Sequence, residues 1–273
     1  MTIKSILVHA QAEAACDRRL RLALTLAETF GASLTGLGAE ALGPVFMTGD
    51  GMVDGAVIEA ARERLASDLP VAEARFRALV GDRPDVSWIA EEAYPDKMLA
   101  LHARGCDLIV ASRPGHGVNA AFAARPVDLV VHAGAPVLLA AESDVAFRGE
   151  RVIVAWKDTR ESRRAVSDAL PFLKRAQIVT LIAVSGETEG YDHQAGLTEV
   201  AAKLALHGVK AAAEVLPKGK ATVTTVLENA ATSHSADLIV AGAYGRSRLQ
   251  EWIMGGVTED LVAWSSKFVL LSH

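Results

Sequence analysis

Cysteine is almost missing from this chain: Cys16 and Cys106 are the only two, far apart and outside any Cys-x-x-Cys pair. A disulfide framework needs more, so they read as free thiols of a reducing cytosol. Aromatic residues make up 5% and the formal net charge is -5, which leaves no basic stripe with stacking platforms for nucleic acid. No apolar run approaches the roughly 18 residues that cross a bilayer. Lys4 interrupts the apolar start Met1–Val8 and no small-residue cleavage site follows, so this stretch reads as a first strand rather than a signal. None of the histidines stands at metal-ligand spacing, and neither a Gly-x-Ser-x-Gly elbow nor a Walker A loop occurs. Gly36-Leu37-Gly38 lacks the third glycine of a dinucleotide fingerprint. These absences point to a cytoplasmic protein with no membrane, nucleic-acid or metal partner.

What the chain does have is a repeat. Lys4-Ser5-Ile6-Leu7-Val8-His9 answers to Arg151-Val152-Ile153-Val154-Ala155-Trp156, and Asp107-Leu108-Ile109-Val110-Ala111-Ser112 to Asp237-Leu238-Ile239-Val240-Ala241-Gly242. Ala135-Pro136-Val137-Leu138-Leu139 is answered by Lys267-Phe268-Val269-Leu270-Leu271. Each run is apolar on consecutive residues, as strands buried on both faces of a parallel sheet are. Ala165, Val166, Ala169, Leu170 and Leu173 recur at helical spacing, and Leu20, Ala23, Leu24 and Ala27 do the same in the first copy. Further strands are expected at 33–38, 86–91, 178–184 and 210–216, and helices near 55–80, 95–104, 195–206 and 221–233. Segment 39–55, rich in glycine, reads as a surface loop. The expectation is an α/β chain of two tandem, doubly wound, five-stranded parallel-sheet domains of Rossmann-like type, residues 1–143 and 149–273. Val137–Leu139 and Val269–Leu271 are apolar edge candidates, and pairing them within the chain as a pseudo-dimer protects both edges. Homodimerisation and any protein partner are left open.

Open α/β sheets bind ligands beyond the carboxyl ends of their strands. There Leu238-Ile239-Val240-Ala241 runs into Gly242-Ala243-Tyr244-Gly245, followed by nine residues and then Gly255-Gly256-Val257-Thr258. Glycines let backbone N–H groups approach an anion, a helix N-terminus adds donors, and Arg246, Ser247 and Arg248 add charge and a hydroxyl. The same glycines could equally serve only as turns.

The spacing Gly-x-x-Gly, nine residues, Gly resembles the ATP-binding signature of the universal stress protein family, whose fold is adenine nucleotide alpha hydrolase-like, and the resemblance covers essentially the whole chain in a tandem form. It implies an adenine-nucleotide-binding module of bacterial stress response, non-enzymatic or at most slowly hydrolysing ATP, with one site per chain. ATP is the implied ligand, AMP or ADP the variants, and magnesium is left open. The implied site residues are Gly242, Gly245, Arg246, Gly255, Gly256, Val257 and Thr258. Around the turn after the first strand the resemblance adds Ala155 and Lys157, and it packs the base near Ala183, Val184 and Leu216. Two positions depart from the family pattern: Gly256 stands where a hydroxyl residue is usual, and Lys157 where an aspartate is. Asp158 and Thr159 are both candidates to cap the following helix. The first copy carries Ser112-Arg113-Pro114-Gly115 and Ala123-Ala124-Arg125-Pro126 at the motif places, and His9-Ala10-Gln11-Ala12-Glu13 at the turn. Proline has no N–H to offer and Ala123 carries a Cβ, so the first copy reads as structural despite Arg113, His116 and Arg125. The alternative for the whole chain is an interaction protein of this fold that has lost its nucleotide.

Overall fold

The structure is a computed structural model and describes residues 2–41, 55–112, 124–141, 145–186, 192–243, 260–262 and 267–273. The motif residues Gly245, Arg246, Gly255, Gly256, Val257 and Thr258 lie outside them, as do Arg113, His116, Ala123 and Trp252. By packing, the chain divides into two compact units, Ile3–Ala135 and Pro136–His273.

The first unit runs β1 (Ser5–Ala10), α1 (Asp17–Phe30), β2 (Ser33–Ala39), α2 (Gly55–Val80), β3 (Val86–Glu91), α3 (Pro95–His102), β4 (Leu108–Ala111) and α4 (Pro126–His132). Its strands lie parallel in the order β3-β2-β1-β4. Leu108, Ile109 and Val110 are fully enclosed, as the unbroken apolar run of β4 predicts for a strand covered on both faces. The two glycines of Gly36-Leu37-Gly38 have a packing cause. A Cβ on Gly36 would come within 2.9 Å of the Phe76 and Trp88 rings, and one on Gly38 within 2.7 Å of Trp88.

The second unit runs β5 (Val137–Leu139), β6 (Arg151–Trp156), α5 (Arg160–Leu173), β7 (Ile178–Ser185), α6 (His193–Leu206), β8 (Ala211–Pro217), α7 (Val223–Ser233), β9 (Leu238–Gly242) and β10 (Phe268–Ser272). Its strand order is β5-β10-β9-β6-β7-β8. All its pairings are parallel except β5 with β10, which run antiparallel in the register Val137–Leu271, Leu138–Leu270, Leu139–Val269. The two apolar strands expected to protect each other within the chain do pair. By packing, β5 therefore goes with the second unit.

The repeat is legible in its hydrogen bonds. Asp107 Oδ2 accepts from the backbone N–H of Lys4 (2.8 Å) and Ser5 (3.0 Å). In the second unit the Asp237 carboxylate accepts from the N–H of Glu150 (3.0 Å) and Arg151 (3.2 Å). Each aspartate closes the N-terminal end of one strand, Asp107 that of β1 and Asp237 that of β6. This pairing, with β4 and β9 set in step, corrects the expected alignment of the first strands by one residue. Val8 and Val154 face Val110 and Val240, so His9 corresponds to Ala155 and Ala10 to Trp156. Bulky, apolar runs without turns carry no internal marker of register, and the slip was invisible in the letters.

Candidate functional site

The second unit places its strand-end residues by the pleat. Side chains alternate across a strand, and paired residues of a parallel sheet leave on the same face. Ala155 pairs with Ile182 and Ala241, and Val184 pairs with Leu216. Ala155, Val184 and Leu216 thus share one face at the carboxyl ends of β6, β7 and β8, and all three are half-buried. Lys157 follows β6 and is exposed. A half-exposed apolar shelf flanked by one ammonium suits the flat base and anionic tail of a nucleotide. These described residues fit such a group.

Gly242 stands on the other face, in step with Ser272 of β10. A Cβ there would lie 2.5 Å from the carbonyl carbon of Glu161 and from the Ser162 nitrogen. The glycine lets the first turn of α5 rest directly against β9. Its own strand end is anchored: Ala243 N donates to Ser272 O at 2.8 Å, and His273 Nδ1 lies 2.9 Å from Ala243 O. The side chain that begins α5 is Thr159, whose Oγ1 accepts from Ser162 N at 3.3 Å, while Asp158 takes the Arg163 guanidinium. Of the two candidate caps, the threonine serves. Near this junction Ser272 Oγ is buried without a hydrogen-bond partner among the described residues, and the buried Glu161 Oε1 has the Arg160 Nε at 3.3 Å as an ion-pair partner. No helix of the described residues is long and apolar enough to cross a membrane, and among them no cluster of His, Cys, Asp or Glu could hold a metal ion.

Residues 149–273 match the model of the universal stress protein family. That stretch, a little under half of the chain, is a universal stress protein domain. A universal stress protein from Archaeoglobus fulgidus DSM 4304 covers 98% of this chain with 95% of its own length, at TM-score 0.73 and 16% identity. A functionally unknown protein from Pseudomonas aeruginosa PAO1 covers 99% with 92% of its length, at TM-score 0.57 and 20% identity. Likeness at such identity speaks for the fold, here over both tandem domains. No curated protein matches the chain.

The first unit is built differently at the same places. Where the second has Ala155, the first has His9, buried, with Nε2 3.4 Å from Ala39 O. Burial, and then the Arg19 charge, lower its pKa to about 3, so the imidazole stays neutral and its Nε2–H serves the Ala39 carbonyl. Register makes Ala39 the counterpart of Val184, and Glu91 that of Leu216. Arg19, in α1, is 4% exposed; its Nε donates to His9 O at 2.6 Å, Nη2 to Gln11 Oε1 at 3.0 Å, and Nη1 to Ser112 Oγ. The serine that replaces the first motif glycine is therefore engaged from within. Beyond β2, burial first and then the Asp68 and Glu13 charges raise Glu40 to about 7. Arg125 pairs with Asp128 at 3.3 Å. Burial also raises the thiols, Cys106 to about 12 and Cys16 above its ordinary value, so neither is a ready thiolate.

Sequence reasoning missed Arg19, since a lone arginine on an apolar helix stripe resembles any snorkelling cation. Its signal was position: it falls in the helix stripe that Ala165 fills in the second copy, in the first turn of α1.

Proposed function

We propose that the second unit binds one adenine nucleotide, ATP in the first place, and that the chain acts as a nucleotide-responsive, non-enzymatic module of stress physiology in the cytoplasm. The observation that carries this reading is the apolar shelf of Ala155, Val184 and Leu216, half-exposed beside Lys157 at the strand ends. It lies at the end of the sheet where β9 leads into the Gly-x-x-Gly-x9-Gly run. The base would rest on the shelf, Lys157 would meet phosphate charge, and Gly245, Arg246, Gly255, Gly256, Val257 and Thr258 would supply donors. Titration calorimetry with ATP tests it: saturable binding of one equivalent per chain, lost in Gly245→Val, supports the reading. No heat and no thermal shift at millimolar ATP overturns it.

A second reading, an interaction protein of this fold without nucleotide, is favoured by the first unit, where His9, Arg19 and Ser112 satisfy one another internally. It expects a flat ATP titration together with an intact fold.

A further inference from the structure

A pocket of about 280 Å³ opens between α5 and α6, bordered by Trp156, Asp158, Arg163, Glu199 and Lys203. It is distinct from the shelf described above: Trp156 follows Ala155 in β6 and so leaves the sheet on the opposite face. Trp156 is 8% exposed, and its indole Nε1 is the one buried side-chain nitrogen without an acceptor among the described residues. A buried donor left unpaired is a cost that the fold retains, and a ligand oxygen would remove it.

The charges on the rim narrow the ligand. Arg163 is taken up by Asp158. Glu199 and Lys203 stand one turn apart on α6, and no ion pair joins them. Among the described residues Lys203 Nζ reaches only the Ser167 hydroxyl, at 3.5 Å, which leaves ammonium donors to spare. Two acids and two bases sum to no net charge, which gives a polyphosphate no advantage here. A molecule that is itself neutral overall but carries both signs is matched at both ends.

We propose that this pocket binds a small zwitterion of the free α-amino-acid class. Its carboxylate would lie between the Trp156 indole N–H and Lys203, and its ammonium would lie against Glu199. The volume of about 280 Å³ holds a molecule of that size.

The test uses the full chain labelled with ¹⁵N. Four tryptophans give four indole N–H signals, and the one lost in Trp156→Phe is assigned to Trp156. The twenty L-amino acids are titrated singly to about 10 mM, a ceiling set for weak metabolite sites. At least one should move the Trp156 signal saturably and leave it responsive with ATP present. The N-acetyl and the amide derivatives of that amino acid, each lacking one charge, should bind about tenfold more weakly, as should the parent on Glu199→Gln and Lys203→Met. Both substitutions lie on the exposed side of α6, so the fold survives them. The proposal is overturned if no amino acid moves that signal, if only other indoles respond, or if the charge-blocked derivatives bind as well as the parent. Because the readout is an indole on the α5–α6 face, failure here and failure of ATP binding are told apart directly.

Discussion

At the carboxyl end of β1 one unit carries a buried histidine, at that of β6 the other carries a half-exposed alanine, and much else at that place follows. His9 closes onto the Ala39 carbonyl, and Arg19 ties the His9 carbonyl to Ser112. Ala155 leaves its shelf open, and Gly242 lets α5 settle against β9 instead of reaching for it with a side chain. The same backbone plan is thus finished in two ways. One unit satisfies its own polar groups; the other leaves surface and donors for something else. The comparison teaches that the same strand end can be closed from within by side chains or left open.

Four experiments would break or sharpen this contrast. The largest effect is expected at the paired positions 112 and 242. Gly242→Ala drives a Cβ into the α5 backbone and should cost about 3 kcal/mol in denaturant unfolding, whereas Ser112→Ala removes one acceptor from Arg19 and should cost about 1 kcal/mol. Equal costs would mean that the two strand ends are not packed differently. Next, Ala155→His should imitate the first unit: on the proposed nucleotide reading, ATP affinity should fall about tenfold or more. An unchanged isotherm would remove Ala155 from the shelf.

The third concerns pH. His9 refuses a proton in the fold that it takes up when unfolded, so between about pH 6.5 and about pH 3 acid should progressively destabilise the first unit. Glu40 acts with the opposite sign: its folded pKa is raised to about 7, so the fold holds a proton that the unfolded chain has released. Its contribution is present at low pH and is lost as pH rises toward 7. Thermal melts across this range should show a weaker acid loss in His9→Gln and a weaker loss toward neutrality in Glu40→Gln. If both variants track the parent chain at every pH, these assignments fail. The smallest effect is a symmetry: Asp107→Ala and Asp237→Ala should each cost about 1 kcal/mol, because each removes the carboxylate that accepts from the corresponding pair of strand N–H groups. A large inequality would show that the two clamps do different work.

Much of the architecture could be read from the letters, for stated reasons. The buried strands announced themselves as unbroken apolar runs, and α2 spans 55–80 as its pattern predicted. The pairing of β5 with β10 followed from two apolar edges that could not both face water. The register of the first strands did not follow, because a one-residue slip among Ile, Leu and Val leaves the pattern unchanged. The candidate site residues stood out as a spacing, and for Ala155, Val184 and Leu216 the pleat supplies a common face that the spacing alone does not carry. Gly242 looked like a ligand glycine, and the helix packed against it gives it a second cause.

By itself the sequence determined that this chain folds twice as a parallel α/β sheet, since apolar runs and helical stripes act through local geometry and solvent exclusion that any stretch carries within itself. Only the tertiary structure decided which strand ends are sealed and which stay open. That choice rests on residues far apart in the chain coming together: Arg19 at Ser112, Gly242 at Glu161, and Trp156 with Glu199 and Lys203 around one pocket. Such meetings depend on where helices come to rest on the sheet, and no local pattern encodes that.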